Sequence, residues 1–203
     1  MATLSIIGAG NMGAAIAAIA TAGKNDVQVI VRDTTKVDGG AVTVAPFGTP
    51  ITGDVVILAI PHPALADVVA TYADQLDGRI VVDLTNPVDF ATFDSLVVPA
   101  GSSQAEELAK VIPGATWLKA FNTNFASTLA TGSVGGEKTV VLIAGDDADA
   151  KATLAGIVEA GGVKAVDAGS LKRARELESF GFLQMTLAAA EKTSWTSGFA
   201  LAE

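Results

Sequence analysis

Short, mainly apolar runs alternate with longer segments along most of the chain. Runs of four to seven residues, many of them rich in valine and isoleucine, are typical of strands buried on both faces of a parallel sheet. This pattern predicts strands at 4–7, 27–31, 41–44, 54–60, 79–84, 116–120, 139–144 and 163–166. Alanine-rich or amphipathic stretches between them predict helices at 11–22, 64–76, 102–111, 124–130 and 149–160, and a long final helix at 170–192.

Strands that alternate with helices predict an α/β fold with a doubly wound, mostly parallel sheet. One connection departs from this pattern, because the glycine- and proline-rich segment 32–53 must hold a crossover, the strand 41–44 and a second connection. A parallel crossover alone usually needs about a dozen residues. We therefore expect a shortened second crossover. We also expect residues 1–168 to form one domain, with residues 169–203 as a helical segment that packs on it or on a dimer partner.

A glycine-rich turn follows the first predicted strand and opens the first predicted helix. In such a unit the first glycine permits the tight turn, the second lets a diphosphate approach the backbone, and the third lets the helix pack close to the strand. The N–H groups at the helix N-terminus then bind the phosphates. The spacing therefore predicts a Rossmann-type dinucleotide-binding domain whose phosphate loop is formed by Gly8, Ala9, Gly10, Asn11, Met12 and Gly13.

The residues after the second predicted strand bear on which dinucleotide binds. Asp33 lies 20 residues after Gly13, where a carboxylate would bind the ribose diol of NAD(H). The 2′-phosphate of NADP(H) would instead be suited by Arg32, Thr34, Thr35 and Lys36, because a guanidinium offers a planar fork of donors and hydroxyls add short hydrogen bonds. We favour NADP(H), with NAD(H) as the alternative, and expect the adenine side to be open because the crossover is short.

The loop after the strand 54–60 is stiffened by two prolines. Loops at the carboxyl ends of strands line the cofactor crevice in open α/β sheets. His62 is the only histidine of the chain, and proton transfer is the alternative role for its imidazole. We interpret it as a loop residue close to the cofactor and not as an acid or base. The predicted contacts here are Ala59, Ile60, Pro61 and His62.

Two more loops follow predicted strands and offer polar or aromatic groups. Asn86 would offer its amide to the nicotinamide ribose or carboxamide, or it would be a turn residue before Pro87. Phe121 would cover a planar ring and Asn122 would orient one. Alternatively, Phe121 belongs to the core and Asn122 or Thr123 caps the next helix. Neither loop identifies a catalytic residue.

Composition excludes several other functions. The net charge is −9, and the basic cluster Lys172, Arg173 and Arg175 lies beside Glu176 and Glu178, which predicts a solvated helix face and not a nucleic-acid site. The chain has no cysteine and one histidine, so we expect neither a disulfide nor a metal site. Its longest apolar runs, 12–20 and 55–60, are shorter than the roughly 20 residues of a membrane span, and we expect no signal peptide. A cytoplasmic protein without membrane contacts is expected.

Motifs past residue 115 carry a more specific resemblance than the glycine turn. Segments 119–123, 145–147 and 167–171, followed by 175–178, occur in that order. This series resembles the NADP-dependent deazaflavin (coenzyme F420) oxidoreductases. It is also similar to the cytosolic domain of six-transmembrane metalloreductases and to small bacterial predicted dinucleotide-binding oxidoreductases. The resemblance implies hydride transfer between NADP(H) and a flavin, deazaflavin or similar small acceptor. It implies dinucleotide contacts from residues 8–13, Arg32, Ile60, Pro61, His62, Asn86, Pro87, Ala120, Phe121 and Asn122.

Two other hypotheses are weighed against this reductase. The start of the chain also resembles pyrroline-5-carboxylate reductases and 3-hydroxyacid dehydrogenases, but residues 167–203 leave no room for the large helical domain of those enzymes. A non-catalytic dinucleotide-sensing or partner-binding module is the main alternative, because few acid–base groups are available. We also expect a homodimer in which Trp195 and Phe199 are apolar anchors.

Overall fold

The structure, a computed structural model, describes residues 1–202. Its strands are β1 Thr3–Ile7, β2 Asp26–Val31, β3 Thr43–Pro46, β4 Val55–Leu58, β5 Ile80–Asp83, β6 Thr116–Ala120, β7 Ser133–Val134, β8 Glu137–Lys138, β9 Val140–Gly145 and β10 Lys164–Gly169. Its α-helices are α1 Asn11–Ala22, α2 Leu65–Leu76, α3 Gln104–Val111, α4 Ala126–Thr131, α5 Ala148–Ala160 and α6 Ala174–Ala189. Single 3-10 turns are formed by Thr34–Lys36, His62–Ala64 and Leu171–Arg173.

Eight of these strands form one sheet in the order β10-β9-β6-β5-β4-β1-β2-β3. Neighbouring strands are parallel except β6 and β9, which are antiparallel. Strand order reverses between β1 and β4, and in open α/β sheets such a switch point is where ligands bind. The predicted doubly wound, mostly parallel α/β fold is therefore confirmed.

Two hydrophobic clusters cover the two faces of the sheet. Because side chains alternate along a strand, Ile6 packs with α1 and α5 while Ile7 packs with α2 and α3. β4 divides in the same way, which explains why its sequence is apolar at every position. The sheet thus holds the carboxyl ends of β1, β4, β5 and β6 at one fixed edge.

The shortened second crossover is confirmed. Only the turn Thr34–Lys36 lies between β2 and β3, and the segment 47–54 contains no helix. The third strand is displaced from the predicted 41–44 to Thr43–Pro46. Its proline is tolerated because β3 is the edge strand, where one side of the backbone needs no partner.

The long C-terminal helix is present, but it is shorter than the predicted 170–192. Leu171–Arg173 winds as a 3-10 turn before α6 begins, and the Ser170 side chain makes no capping hydrogen bond. At 1.5 Å per residue the 16 residues of α6 span about 24 Å, whereas the predicted helix would have spanned about 35 Å. Within residues 1–202, no helix has both the length and the apolar character needed to cross a membrane.

Candidate functional site

A cleft of about 480 Å³ opens at the carboxyl ends of β1, β4, β5 and β6. α6 forms one wall, and the start of α4 and the C-terminal tail form another. The cleft is lined by Asn11, Met12, Ile60, Pro61, His62, Leu84, Thr85, Asn86, Phe90, Phe121, Asn122, Asn124, Phe125, Ala126, Ser127, Gly181, Gln184, Met185 and Trp195.

The three glycines of the phosphate loop meet different surroundings. Gly8 has φ +106°, and a Cβ there would collide with the carbonyl oxygen of Ala59. A Cβ on Gly13 would collide with the carbonyl oxygen of Gly8, so α1 packs directly on the turn. A Cβ on Gly10 would meet nothing within 4 Å. The first and third glycines are therefore required by packing, whereas the second leaves room that fits a diphosphate at the N-terminus of α1.

Arg32 and Asp33 lie at the end of β2, outside the cleft and exposed to solvent. An Arg32 guanidinium nitrogen lies 2.6 Å from a carboxylate oxygen of Asp67, and the guanidinium carbon is 5.9 Å from the centre of the Phe47 ring. The Asp33 carboxylate accepts hydrogen bonds from the hydroxyl and backbone N–H of Thr35, and these hold the pKa of Asp33 below its usual value. Asp33 is thus engaged within its own turn.

The loop after β4 holds its side chains in fixed positions. Ala59 is buried behind Gly8, while Ile60, Pro61 and His62 face the cleft. A ring nitrogen of His62, Nε2, lies 2.7 Å from Oε1 of Gln104 at the start of α3. This contact fixes the imidazole as a wall of the cleft.

Asn86 and Asn122 bind each other across the carboxyl ends of β5 and β6. Asn122 Nδ2 donates to Asn86 Oδ1 at 2.9 Å and to the Leu177 carbonyl at 2.8 Å. Asn86 Nδ2 donates to the Asn122 carbonyl at 2.9 Å. A Cβ on Gly181 would lie 2.8 Å from both the Asn122 carbonyl oxygen and Asn86 Oδ1. Glycine is therefore needed in the middle of α6, because only glycine lets the helix approach this asparagine pair.

Phe121 combines the two roles that the sequence left open. It is 1 % exposed and packs in the core cluster beside α1, yet it also lines the cleft. Its φ of +65° is rare for a bulky residue, and such backbone strain clusters at functional sites. The helix-cap alternative for Asn122 is wrong, since α4 begins after Phe125.

A buried charge cluster lies behind the cleft. Lys119 Nζ lies 2.7 Å from carboxylate oxygens of both Asp83 and Glu178, and it donates to the Thr85 carbonyl at 2.5 Å. All three charged side chains are fully buried. Glu178 also accepts the backbone N–H of Gln104, and burial raises the pKa of Glu178 above its ordinary value. The cluster ties β5, β6, α3 and α6 together, so Glu178 does not belong to the predicted solvated helix face.

The structure brings eight of the predicted site residues together in the cleft: Asn11, Met12, Ile60, Pro61, His62, Asn86, Phe121 and Asn122. The others lie elsewhere. Ala9 and Gly13 line a separate hollow of about 350 Å³ between α1 and the segment 36–42. Gly8, Gly10, Arg32, Asp33, Thr34, Ala59, Pro87 and Ala120 line neither space.

Several residues of the cleft were not predicted. Gln184 and the aromatic residues Phe90, Phe125 and Trp195 line it from α6, the tail and two loops. The one available signal was a polar residue, Gln184, among the apolar residues of a predicted helix. Within the described residues 1–202, no group of three or more metal-ligating side chains could hold a metal ion.

Comparison with known proteins shows which proteins this chain resembles. Residues 3–87 match the family described as NADP oxidoreductase, coenzyme F420-dependent. The metalloreductase STEAP3 of Rattus norvegicus is 40% identical over 107 residues, which cover 53% of this chain and 21% of that protein. The F420-dependent NADP reductase of Methanocaldococcus jannaschii is 28% identical over 131 residues, which cover 63% of this chain and 58% of that protein. The chain thus spans less than two thirds of the length of these curated relatives.

Two solved structures share the fold over most or all of the chain. A protein from Arthrobacter sp. FB24, to which F420-dependent NADP reductase activity has been ascribed, superposes with a TM-score of 0.86 at 24% identity and covers 100% of both chains. A hypothetical protein from Sinorhizobium meliloti superposes with a TM-score of 0.73 at 32% identity, over 84% of this chain and 86% of its own. Residues 3–87 thus match the coenzyme F420-dependent NADP oxidoreductase family, and the chain as a whole is similar in sequence and fold to the proteins named above.

Proposed function

We propose that this chain is an oxidoreductase that binds NADP(H) and transfers hydride between its nicotinamide and a flavin, deazaflavin or similar planar acceptor. The cleft is the observation that carries this proposal. It gathers loops from the carboxyl ends of four strands at the switch point, where a dinucleotide bound to the phosphate loop would place its nicotinamide. The names of the relatives from Methanocaldococcus and Rattus point to the same class of chemistry.

The end of β2 favours NADP(H) over NAD(H). Asp33 is engaged by Thr35, so it is poorly placed to accept hydrogen bonds from a ribose diol. Arg32 is exposed and lies over the Phe47 ring, a position from which a guanidinium can bind a phosphate. Its contact with Asp67 is an exposed ion pair, which a 2′-phosphate can displace at little cost.

The cleft suits hydride transfer more than acid–base chemistry. His62 is the only titratable side chain among its lining residues, and Gln104 holds that imidazole. A bound nicotinamide would supply the hydride, and such a transfer depends mainly on the alignment of two rings. Phe90, Phe125 and Trp195 provide the apolar walls that would position a second planar ring and exclude water. The accompanying proton would come from solvent at the mouth of the cleft.

Titration of the protein with NADPH and NADH, followed by nicotinamide fluorescence, tests the cofactor. We expect NADPH to bind more tightly, and we expect Arg32→Ala to weaken NADPH binding on the order of tenfold or more, because a charged hydrogen bond contributes about 1.5–3 kcal/mol. Asp67→Ala is the matched control, since it removes the competing partner of Arg32 and should not weaken NADPH binding. Equal affinity for the two cofactors in the wild type would contradict the NADP(H) proposal.

Single-turnover oxidation of NADPH with flavins and deazaflavins tests the activity. We expect oxidation with at least one of these acceptors. Gly10→Ala should fold normally, because its Cβ meets open space. It should weaken the binding of both NADPH and NADH, because the new methyl group would occupy the position of the diphosphate. Tight NADPH binding without turnover on any acceptor would instead support the non-catalytic sensing module.

The homodimer and the cytoplasmic location stay predictions. The proposed anchors Trp195 and Phe199 pack on Phe125 and Phe180 of the same chain, with ring centres 5.1 and 4.7 Å apart. Both anchors remain about half exposed, and Leu201, which lines a hollow together with Phe199, is 49 % exposed. Light scattering at working concentration tests the dimer, and a monomer would rule it out.

A further inference from the structure

The cleft contains an unusual concentration of polar atoms without partners. Among buried side-chain nitrogen and oxygen atoms of residues 1–202, six have no hydrogen-bond partner, and five of these belong to residues that line the cleft. They are Thr85 Oγ1, Asn122 Oδ1, Asn124 Oδ1, and Nε2 and Oε1 of Gln184. Because buried polar groups in folded proteins are almost always paired, unpaired atoms gathered in one cleft are the groups that a polar ligand bound there would be expected to pair with.

Gln184 differs from the other four atoms because its whole amide is unpaired. The residue is 3 % exposed, and neither its donor nor its acceptor has a partner. Gln28 is a useful contrast, being 6 % exposed but bonded to Ser5 and to the Pro50 carbonyl. The chain can therefore satisfy a buried glutamine where that glutamine serves the fold. Gln184 is buried without such partners, at the wall of the cleft.

The surroundings of Gln184 restrict the ligand that could pair with it. An amide offers one acceptor oxygen and an N–H donor, so its best complement is a flat group that carries C=O beside N–H. The cleft also presents Phe90, Phe125 and Trp195, which suit the faces of a planar ring. A quinone or a carboxylate offers acceptors only and would leave the Gln184 oxygen unpaired.

We propose that Gln184 is a specificity-determining residue that pairs through both atoms of its amide with a C(=O)–NH group, carried on or within a planar ring that the cleft holds. The inference deepens the proposed function and rests on it. Two sources carry this chemistry. One is the carboxamide of the nicotinamide, and the other is the pyrimidinedione edge of a flavin or deazaflavin acceptor. The experiment has one arm for each source.

Binding measurements separate the two sources without requiring turnover. The cofactor arm compares the Kd of NADPH with that of its 3-acetylpyridine analogue, in which a methyl ketone replaces the carboxamide. The acceptor arm compares lumiflavin with 3-methyllumiflavin, which lacks the ring N–H. In one arm we expect the wild type to prefer the N–H ligand by about tenfold or more, because one net hydrogen bond is lost and its partner stays buried.

The Gln184 variants test whether this residue causes the preference for the N–H ligand. Gln184→Leu should remove the preference in the responsive arm. It should weaken both ligands, and the N–H ligand more strongly, because that ligand loses two hydrogen bonds and the N–H-free ligand only the one to its carbonyl. Gln184→Glu keeps the shape and an acceptor but loses the donor, so it should retain part of the preference. If Gln184→Leu does not fold, Gln184→Met, which has a similar length and also lacks both amide atoms, should show the same loss of preference, and a preference that survives in it would equally overturn the proposal. Equal affinities for both members of both pairs in the wild type, or a preference that survives in Gln184→Leu, would overturn the proposal.

Failure of the proposed function gives a different result. If the protein binds NADPH but reduces no acceptor, the oxidoreductase proposal fails while the cofactor arm still reports on Gln184. If it reduces flavins with no role for the N–H edge, the oxidoreductase proposal stands and the inference about Gln184 fails.

Discussion

Two polar side chains of α6 are buried to nearly the same degree but have opposite environments. Glu178 is fully buried and is bonded to Lys119 and to the backbone N–H of Gln104. Gln184 lies six residues later, is 3 % exposed and has no partner. Burial alone therefore does not reveal what a polar residue does. A paired group holds elements of the fold together, whereas an unpaired group at a cleft marks where a ligand completes the structure.

The largest expected change in stability comes from removing Lys119, the buried partner of Glu178. Lys119→Met should lower the free energy of unfolding by about 3–5 kcal/mol, because it leaves Asp83 and Glu178 as neighbouring buried carboxylates without a cation. Urea denaturation measures the change. Glu178→Gln is the matched variant, since it keeps the Lys119–Asp83 pair and should cost much less. Equal losses of unfolding free energy in the two variants would contradict the view that Lys119 stabilises the cluster by neutralising its carboxylates.

Gly181 connects the two regions, since it lets α6 approach the Asn86–Asn122 pair. Gly181→Ala should destabilise the protein by about 1–3 kcal/mol, because the added methyl group overpacks the contact. Gly156→Ala in α5 is the control, with no atom within 4 Å of the new Cβ. That substitution should stabilise the protein by about 0.5–1 kcal/mol through helix propensity. Thermal unfolding of both variants checks the opposite signs.

Gln184→Leu should change stability in the opposite direction to Lys119→Met. Removal of an unpaired buried amide in favour of an apolar group of similar size should be neutral or stabilising, by up to about 1 kcal/mol. Urea denaturation without any cofactor measures this effect separately from binding. A loss of more than about 2 kcal/mol would show that Gln184 supports the fold, as Glu178 does.

The smallest effect is a pH dependence at Glu178. Burial raises the pKa of Glu178 in the folded state, so the folded protein binds more protons than the unfolded chain at pH values above its ordinary pKa of 4.5. The stability of the wild type relative to Glu178→Gln should therefore fall as pH rises from that value through the raised pKa, and then level off. Glu107→Gln is the control of opposite sign.

At Glu107 the hydrogen bond from Lys110, and a second from Ser102, lower the pKa in the folded state. The stability that Glu107 contributes should be lost as pH falls through that lowered pKa. For each variant, the difference in unfolding free energy from the wild type is plotted against pH. Slopes of the same sign for Glu178→Gln and Glu107→Gln would contradict the assignment of Glu178 to a desolvated site.

Much of the fold and part of the site could be predicted from local pattern. The alternation of apolar runs and helices predicted the sheet, and the spacing of Gly8, Gly10 and Gly13 predicted the turn that β1 and α1 form. The loop residues His62, Asn86 and Phe121 were identified because parallel strands end at one edge. These features depend on neighbours in sequence or on a rule that holds for every parallel sheet.

The other half of the cleft could not be predicted in this way. Trp195 lies on Phe125, 70 positions earlier in the chain, and Glu178 meets Lys119 across 59 positions. Gln184 looked like one polar residue on an amphipathic helix, since periodicity gives a helix its apolar face without saying which polar residue will find partners. The charge of Glu178 likewise predicted a solvated position, although Lys119 makes burial tolerable.

The sequence by itself determined the order of strands and helices, the phosphate loop and the short second crossover, because each depends on residue types within a few positions of one another. Only the tertiary structure decided how α6 sits on the sheet, and with it which buried polar groups are paired. The physical reason is that hydrogen bonding of a buried group depends on atoms from distant segments. Glu178 finds such atoms on β6 and α3 and stabilises the fold, whereas Gln184 finds none and is the residue that we propose binds a ligand.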